Sequence, residues 1–243
     1  MVDVRFSHGM GDILVMESHW TDEFRRSVRK IYMRPYQFVL VSLFKNCKAT
    51  KHIKCLPVDY EEYDERAEDW SIYQRFEQMR RGDYRYQGSS FLKHTVANIR
   101  HLSLPRRFFV TQHQTVINPM YVREERDMQR WEWHGVKRIC DAWDMPAVVV
   151  NANNADHPPI LPGIVNLIGT RLVETVEILK RADGYVGIDS WLSCLAAQLF
   201  PADRLVVRGP DAWVKRYKDI YYRPHTRFDF LVDSIGTPPR VLL

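Results

Sequence analysis

Two junctions in the 243-residue chain carry residue types that could do chemistry. The later one runs from Gly184 to Phe200. Tyr185 to Ile188 is a short apolar run suited to a buried strand, and Asp189 and Ser190 after it are both good helix N-caps. Leu192, Leu195, Ala196 and Leu199 then recur at helical spacing. A strand feeding straight into a capped helix leaves backbone N–H groups free and a partial positive charge at the turn, which suits an anionic ligand such as a diphosphate. An ordinary capped βα junction would use the same residues. What adds weight is the earlier junction, where the strand-like Val2 to Ser7 runs through His8 into Gly9, Met10, Gly11 and Asp12. A third stretch interleaves charge with rings: Arg75, Arg80, Arg81, Tyr84, Arg85 and Tyr86, around Gly82 and Asp83. That pattern can neutralise and stack on a nucleic acid, and many solvated surfaces share it.

These residues need elements to position them. Ile13, Leu14, Met16, Trp20, Phe24 and Val28 mark an amphipathic helix starting at Ile13, with Arg25, Arg26, Arg29 and Lys30 in its last turns to complement the dipole. Phe38 to Phe44 reads as a strand covered on both faces, and Ile53 to Val58 as another that Pro57 weakens. The chain is acidic from Asp59 to Asp69, turns at Gly88 to Ser90, and is helical from Phe91 to Leu102. After Pro105 strands are expected at Arg107–Thr111, Ala147–Val150, Ile164–Ile168 and Leu205–Val207. Helices are expected at about Glu124–Trp143, Arg171–Ala182 and Ala212–Asp219. Strands alternating with helices at this spacing imply parallel βαβ units and doubly wound sheets. The expected architecture is α/β, with two Rossmann-like domains over residues 1–104 and 105–243. Ligands in such sheets sit at the carboxyl ends of strands, where both Asp12 and Asp189 fall, so a cleft between the domains is expected.

Composition excludes some classes. At 45% hydrophobic and 27% charged residues the chain is neither disordered nor fibrous. It contains no run of about 18 apolar residues and no apolar leader block, so no transmembrane segment is expected and a cytoplasmic protein is. Cys47, Cys55, Cys140 and Cys194 are scattered, as packed reduced thiols are; Cys47, His52 and Cys55 lack a fourth zinc ligand. A net charge of +5 favours a polyanionic partner.

Three segments resemble the heptosyltransferase-like group of GT-B glycosyltransferases. Gly9-Met10-Gly11-Asp12-Ile13-Leu14 is similar to that group's N-terminal Gly-x-Gly-Asp turn. Phe109-Val110-Thr111 through Arg123, Arg126 and Trp131 is similar to the strand, basic loop and Trp-containing helix that open its donor domain. Leu167-Ile168-Gly169-Thr170, Leu172, Glu174, Lys180 to Asp183, Gly187 to Ser190 and Leu195 to Ala197 follow its signature in order. Trp191 and Cys194 depart from it, standing where the group has Gly and His. The resemblance covers most of the C-terminal half and only the first turn of the N-terminal half.

The resemblance implies a nucleotide-sugar donor against the C-terminal domain, with Asp189, Ser190, Trp191, Gly169, Thr170, Arg123 and Arg126 as donor-binding residues. It implies an acceptor on the N-terminal side, near His8, Gly9, Gly11, Arg81 and Arg85, with Asp12 as general base. A sugar hydroxyl needs a proton acceptor as it attacks an anomeric carbon, and a departing diphosphate needs positive charge or backbone donors. No Asp-x-Asp pair occurs, so no metal and no cofactor beyond the donor substrate are expected, with inversion as the stereochemical outcome. The basic N-terminal half favours a hydroxymethylated DNA base as acceptor; lipopolysaccharide core explains the charge nearly as well. A non-catalytic nucleotide- or nucleic-acid-binding module and a sugar-nucleotide epimerase remain as alternatives.

Overall fold

A computed structural model describes residues 1–6, 9–58, 67–71, 74–75, 78, 81, 83–112, 133–150, 161–188 and 190–208. The chain divides into two compact units. Unit 1 is Met1–Ala97 with Leu172–Glu177, and unit 2 is Asn98–Arg171 with Ile178–Leu243.

Unit 1 is built on strands β1 (Val2–Arg5), β2 (Val28–Met33), β3 (Lys54–Pro57) and β4 (Glu68–Asp69). They form one parallel sheet in the order β3-β2-β1-β4. Helices α1 (Met10–Glu17) and α2 (Asp22–Ser27) connect β1 to β2. A 3-10 helix (Pro35–Leu40) and α3 (Val41–Asn46) connect β2 to β3, and α4 (Ser90–His94) follows β4.

Three expectations are corrected here. The single long helix becomes α1, α2 and a strand, with Val28, Arg29 and Lys30 in β2. Thr21 breaks the helical run, capping α2 by accepting from the Phe24 amide at 3.1 Å. The strand expected over Phe38–Phe44 is helical instead. Pro35 ends the extended backbone, and Gln37, Leu40, Leu43, Phe44 and Cys47 are buried at helical spacing while Phe38 and Val39 face solvent. Pro57 is accommodated because β3 is an edge strand; pairing with Met33 resumes at the Val58 amide, 2.8 Å from its carbonyl. The helix expected over Phe91–Leu102 is confined to α4, and Thr95 pairs with Cys47.

Aromatic rings close the unit around Trp20. Phe6, Phe24 and Trp70 lie 6.1, 5.3 and 5.8 Å from it, centroid to centroid, and Tyr84 sits 5.4 Å from Trp70. Beneath them is a buried ion pair. Arg25 Nε donates to Glu17 Oε1 at 2.6 Å, and both side chains are almost wholly excluded from solvent. Glu17 Oε2 accepts from the Ser90 amide, and Arg25 Nη2 donates to the carbonyls of Glu17 and Gly88. The network ties α1, α2 and the turn before α4 together, its charges satisfied as burial demands.

Unit 2 contains β5 (Phe109–Gln112), β6 (Ala147–Val149), β7 (Ile164–Asn166), β8 (Gly184–Ile188) and β9 (Leu205–Arg208). All pair in parallel in the order β7-β6-β5-β8-β9. The described helices after β5 are α5 (Trp133–Trp143), α6 (Leu172–Arg181), whose residues up to Glu177 are grouped with unit 1, and α7 (Trp191–Ala196), with a 3-10 turn at Ala202–Arg204. Phe109, Val136, Ile139, Met145, Ala147, Val186 and Val206 form a core cluster under the sheet. The central strand β5 is buried along its full length, and its sequence does not alternate: apolar Phe109 and Val110 are followed by the buried polar Thr111 and Gln112. Among the described residues, no helix is long and apolar enough to cross a membrane.

Candidate functional site

Each sheet reverses its winding once. In unit 1 the order runs outward from β1 to β2 and β3 on one side and to β4 on the other, so the switch point lies between β1 and β4. In unit 2 it lies between β5 and β8. The carboxyl ends of strands flanking a switch point are where open α/β sheets bind ligands, because the following loops diverge and leave a crevice.

At the unit 2 switch point the strand ends are polar in an otherwise apolar sheet. Gln112, the last residue of β5, is only 3% exposed. Its Oε1 accepts a hydrogen bond from Ser190 Oγ at 2.5 Å, and the Tyr185 hydroxyl of β8 approaches the same oxygen at 3.5 Å. Ser190 caps α7 as well. Its Oγ accepts from the Leu192 amide at 3.3 Å, and Ser193 Oγ accepts from the Ser190 amide at 2.9 Å. One serine hydroxyl therefore joins the carboxyl end of β5 to the helix that follows β8. The neighbouring Thr111 Oγ1 is buried without a hydrogen-bond partner among the described residues. Gly187 is needed for space: a Cβ there would come 2.6 Å from Tyr185 Cζ and collide with its hydroxyl. Any side chain at 187 would push the Tyr185 ring out of this cluster.

The other donor-side expectations fall as follows. Gly169 takes a left-handed conformation (φ +91°), and the Thr170 hydroxyl turns back to the Leu167 carbonyl, making the turn between β7 and α6. Gly169 and Thr170 thus follow β7, three strand positions from β8, or roughly 14 Å at the usual spacing. They and Ser190 would meet different parts of an extended ligand. Trp191 is 9% exposed and Cys194 2%, so the two departures from the glycosyltransferase pattern pack inward. Asp189, Arg123, Arg126 and Trp131 lie outside the described residues, as does His8.

At the unit 1 switch point, α1 begins at Met10 rather than Ile13, with exposed Gly9 as its N-cap. Asp12 is therefore inside the first turn, not its cap. Its carboxylate is 4% exposed and sits where the helix dipole favours negative charge. Nothing would lie within 4 Å of a Cβ built on Gly9, so the approach to this turn is open on that side. Gly11 is half-buried in the same turn.

Much of the basic and aromatic stretch has structural work. Arg75 stacks on Trp70 with its Cζ 4.8 Å from the ring centroid and donates to the Tyr84 hydroxyl at 3.1 Å. Arg81 pairs with Asp83 at 3.1 Å, and Arg85 is exposed. Tyr86 packs edge-on against His19, 5.9 Å between centroids, and burial with the Glu17 charge pushes its phenol up to about 12. Arg25 is committed to Glu17. Among the described residues no group of three His, Cys, Asp or Glu is placed to hold a metal ion.

Two residues of the unit 2 cluster escape a reading of the sequence. Gln112 stands one position beyond the expected strand, and Tyr185 counts there only as an apolar strand residue. The available signal is a polar side chain closing an apolar run just before a loop.

Across its whole length the chain is similar to the structure of ADP-heptose LPS heptosyltransferase II of E. coli. The TM-score is 0.52 at 13% identity, covering 100% of this chain and 94% of that one. At that identity the likeness establishes the fold: an α/β protein of two parallel-sheet units, of the GT-B kind. No protein-family model matches the chain, and no curated protein sequence does.

Proposed function

We propose that the protein is a glycosyltransferase that moves a sugar from a nucleotide-sugar donor to an acceptor hydroxyl. The observation that carries this reading is the polar cluster at the unit 2 switch point, Gln112, Tyr185 and Ser190, within a fold of the GT-B kind. A buried amide and a capping hydroxyl at that position are suited to fix the polar parts of a nucleotide diphosphate. Asp189, Arg123, Arg126, Gly169 and Thr170 complete the donor set, the arginines countering the charge of the leaving diphosphate.

Asp12 is the general base of this reading. Its carboxylate takes the acceptor hydroxyl's proton as that oxygen bonds to the anomeric carbon. The bond from that carbon to the diphosphate breaks in the same step, and the nucleoside diphosphate leaves with the electron pair. A single displacement inverts the anomeric centre and requires no metal. The fold neighbour is named for ADP-heptose and lipopolysaccharide, so an ADP-linked heptose and a phosphorylated glycan acceptor are the first pair to try. Hydroxymethylated DNA loses ground as acceptor because Arg25 and Arg75, part of its motivation, are held in intramolecular contacts.

The test is a panel of nucleotide sugars incubated with the protein, with released nucleoside diphosphate quantified. One donor should be turned over, faster with its acceptor present. Failure of every nucleotide sugar to bind or turn over would leave a non-catalytic module as the better reading.

A further inference from the structure

A second cluster of charge in unit 1 stands apart from the switch point. In a parallel sheet the residues preceding each strand gather at the edge opposite its carboxyl ends. Helix α2 leads into β2 and the turn Cys47–Ile53 leads into β3. The C-terminus of α1, which carries Glu17, packs on the turn that begins α4. Of these, α2, the turn before β3 and α4 surround a cavity of about 310 Å³ lined by Asp22, Arg25, Arg26, Lys48, His52 and His94. Asp12 begins at the other edge, at the first turn after β1.

The groups around this cavity divide into two sets. Arg25 is its fixed wall: its guanidinium is spent on Glu17, on the carbonyls of Glu17 and Gly88, and on Asp22 at 2.7 Å. Arg25 shares its one positive charge between Glu17 and the exposed Asp22, so these three groups carry a net −1 that Arg26 and Lys48 outweigh, leaving the pocket at +1. His52 is held in place by Nε2 against the Arg25 carbonyl at 3.1 Å, which leaves its Nδ1 for other contacts. Arg26, Lys48 and His94 make no hydrogen bond or ion pair among the described residues. Two cations and an imidazole, drawn from α2, the turn before β3 and α4, thus converge on one pocket with their donors unused. Such spacing of like charge is repulsive by itself, and a bound anion relieves it.

We infer that this pocket is an anion site for a soluble phosphate-bearing ligand, a phosphomonoester or diphosphate, on the opposite edge of the unit 1 sheet from Asp12. The volume falls at the lower end of small-ligand pockets. Arg26 offers a planar fork to two phosphate oxygens, Lys48 a point charge and His94 a ring N–H; His52, whose Nε2–H faces the Arg25 carbonyl, donates from Nδ1 only as the imidazolium.

The site is tested with inorganic pyrophosphate on the full chain, followed through the imidazole proton resonances of His52 and His94. Saturable one-to-one shifts at both residues are expected, with affinity falling at least tenfold in Arg26→Ala/Lys48→Ala. Both substituted side chains are exposed, so the thermal melt of that variant should match the parent's and exclude misfolding. His94→Gln should weaken binding as well. Gln112→Ala, in the other unit, should leave it unchanged, which separates this site from pyrophosphate bound at the proposed donor site. Shifts that never saturate, or that persist undiminished in the double variant, would overturn the assignment.

Discussion

Ser190 Oγ lies 2.5 Å from Gln112 Oε1, linking the carboxyl end of β5 to the helix after β8 across the switch point of unit 2. The two residues are 78 positions apart, and the contact couples the carboxyl end of β5 to helix capping. The two roles separate by mutation. Ser190→Ala should lower stability by about 1 kcal/mol through loss of the cap. Gln112→Ala keeps the cap and should weaken nucleoside diphosphate binding by roughly tenfold, or about 1.4 kcal/mol. Calorimetric titration with the nucleoside diphosphate of the active donor measures it. Unchanged affinity in Gln112→Ala would remove the cluster from the donor site.

Asp12→Asn keeps the size and hydrogen-bonding reach of the side chain and removes its basicity. A general base contributes on the order of a hundredfold or more, so transfer should fall by that factor while donor affinity stays within a few fold. The dipole interaction of the first turn is worth only about 0.3–1 kcal/mol and touches stability, not turnover. A variant nearly as active as the parent would sink the assignment.

The buried pair makes a prediction about folding alone. Arg25→Met leaves the Glu17 carboxylate enclosed without its partner and should cost about 3–5 kcal/mol in urea unfolding. Arg25→Met/Glu17→Leu should recover part of that loss. Recovery is incomplete because the Ser90 amide, which donates to Glu17 at 3.1 Å, then loses its acceptor. Equal losses in single and double variants would show that the charge pair is not the source.

What the sequence discloses and what it conceals follow from the physics of each element. The unit 2 strands are legible because parallel strands buried on both faces read as apolar runs, and Phe109–Gln112 and Gly184–Ile188 lie within two residues of expectation. The Phe38–Phe44 run deceives by the same rule: Phe38 and Val39 are exposed, so the apolar count hides a helical pattern. Arg25 reads as a surface cation at a helix end. Its burial depends on Glu17, eight residues away across the Thr21 break, a relation that no local periodicity carries. The same holds for Gln112 and Ser190: each is an unremarked polar residue at the end of an element until the sheet order brings β5 beside β8. The residue types at the unit 2 junction are visible in the sequence; the Gln112 side chain that joins it to β5 is not.

The last prediction concerns pH. His19 Nδ1 lies 2.8 Å from the Val15 carbonyl, which can only accept, so Nδ1 carries the proton. The ring is buried against Tyr86, and that burial lowers its pKa from the usual 6.5, against a smaller upward pull from the Val15 carbonyl. In the unfolded chain the imidazole takes up a proton at its ordinary pKa; in the folded one it resists until the pH is lower. Between those two values the unfolded state binds more protons, so stability is full above about pH 6.5 and is lost as pH falls through the folded value. Urea midpoints measured from pH 7.5 downward should decline in this window, and His19→Gln should flatten the decline by one proton's worth of slope. Parallel curves for parent and variant would place the acid sensitivity elsewhere.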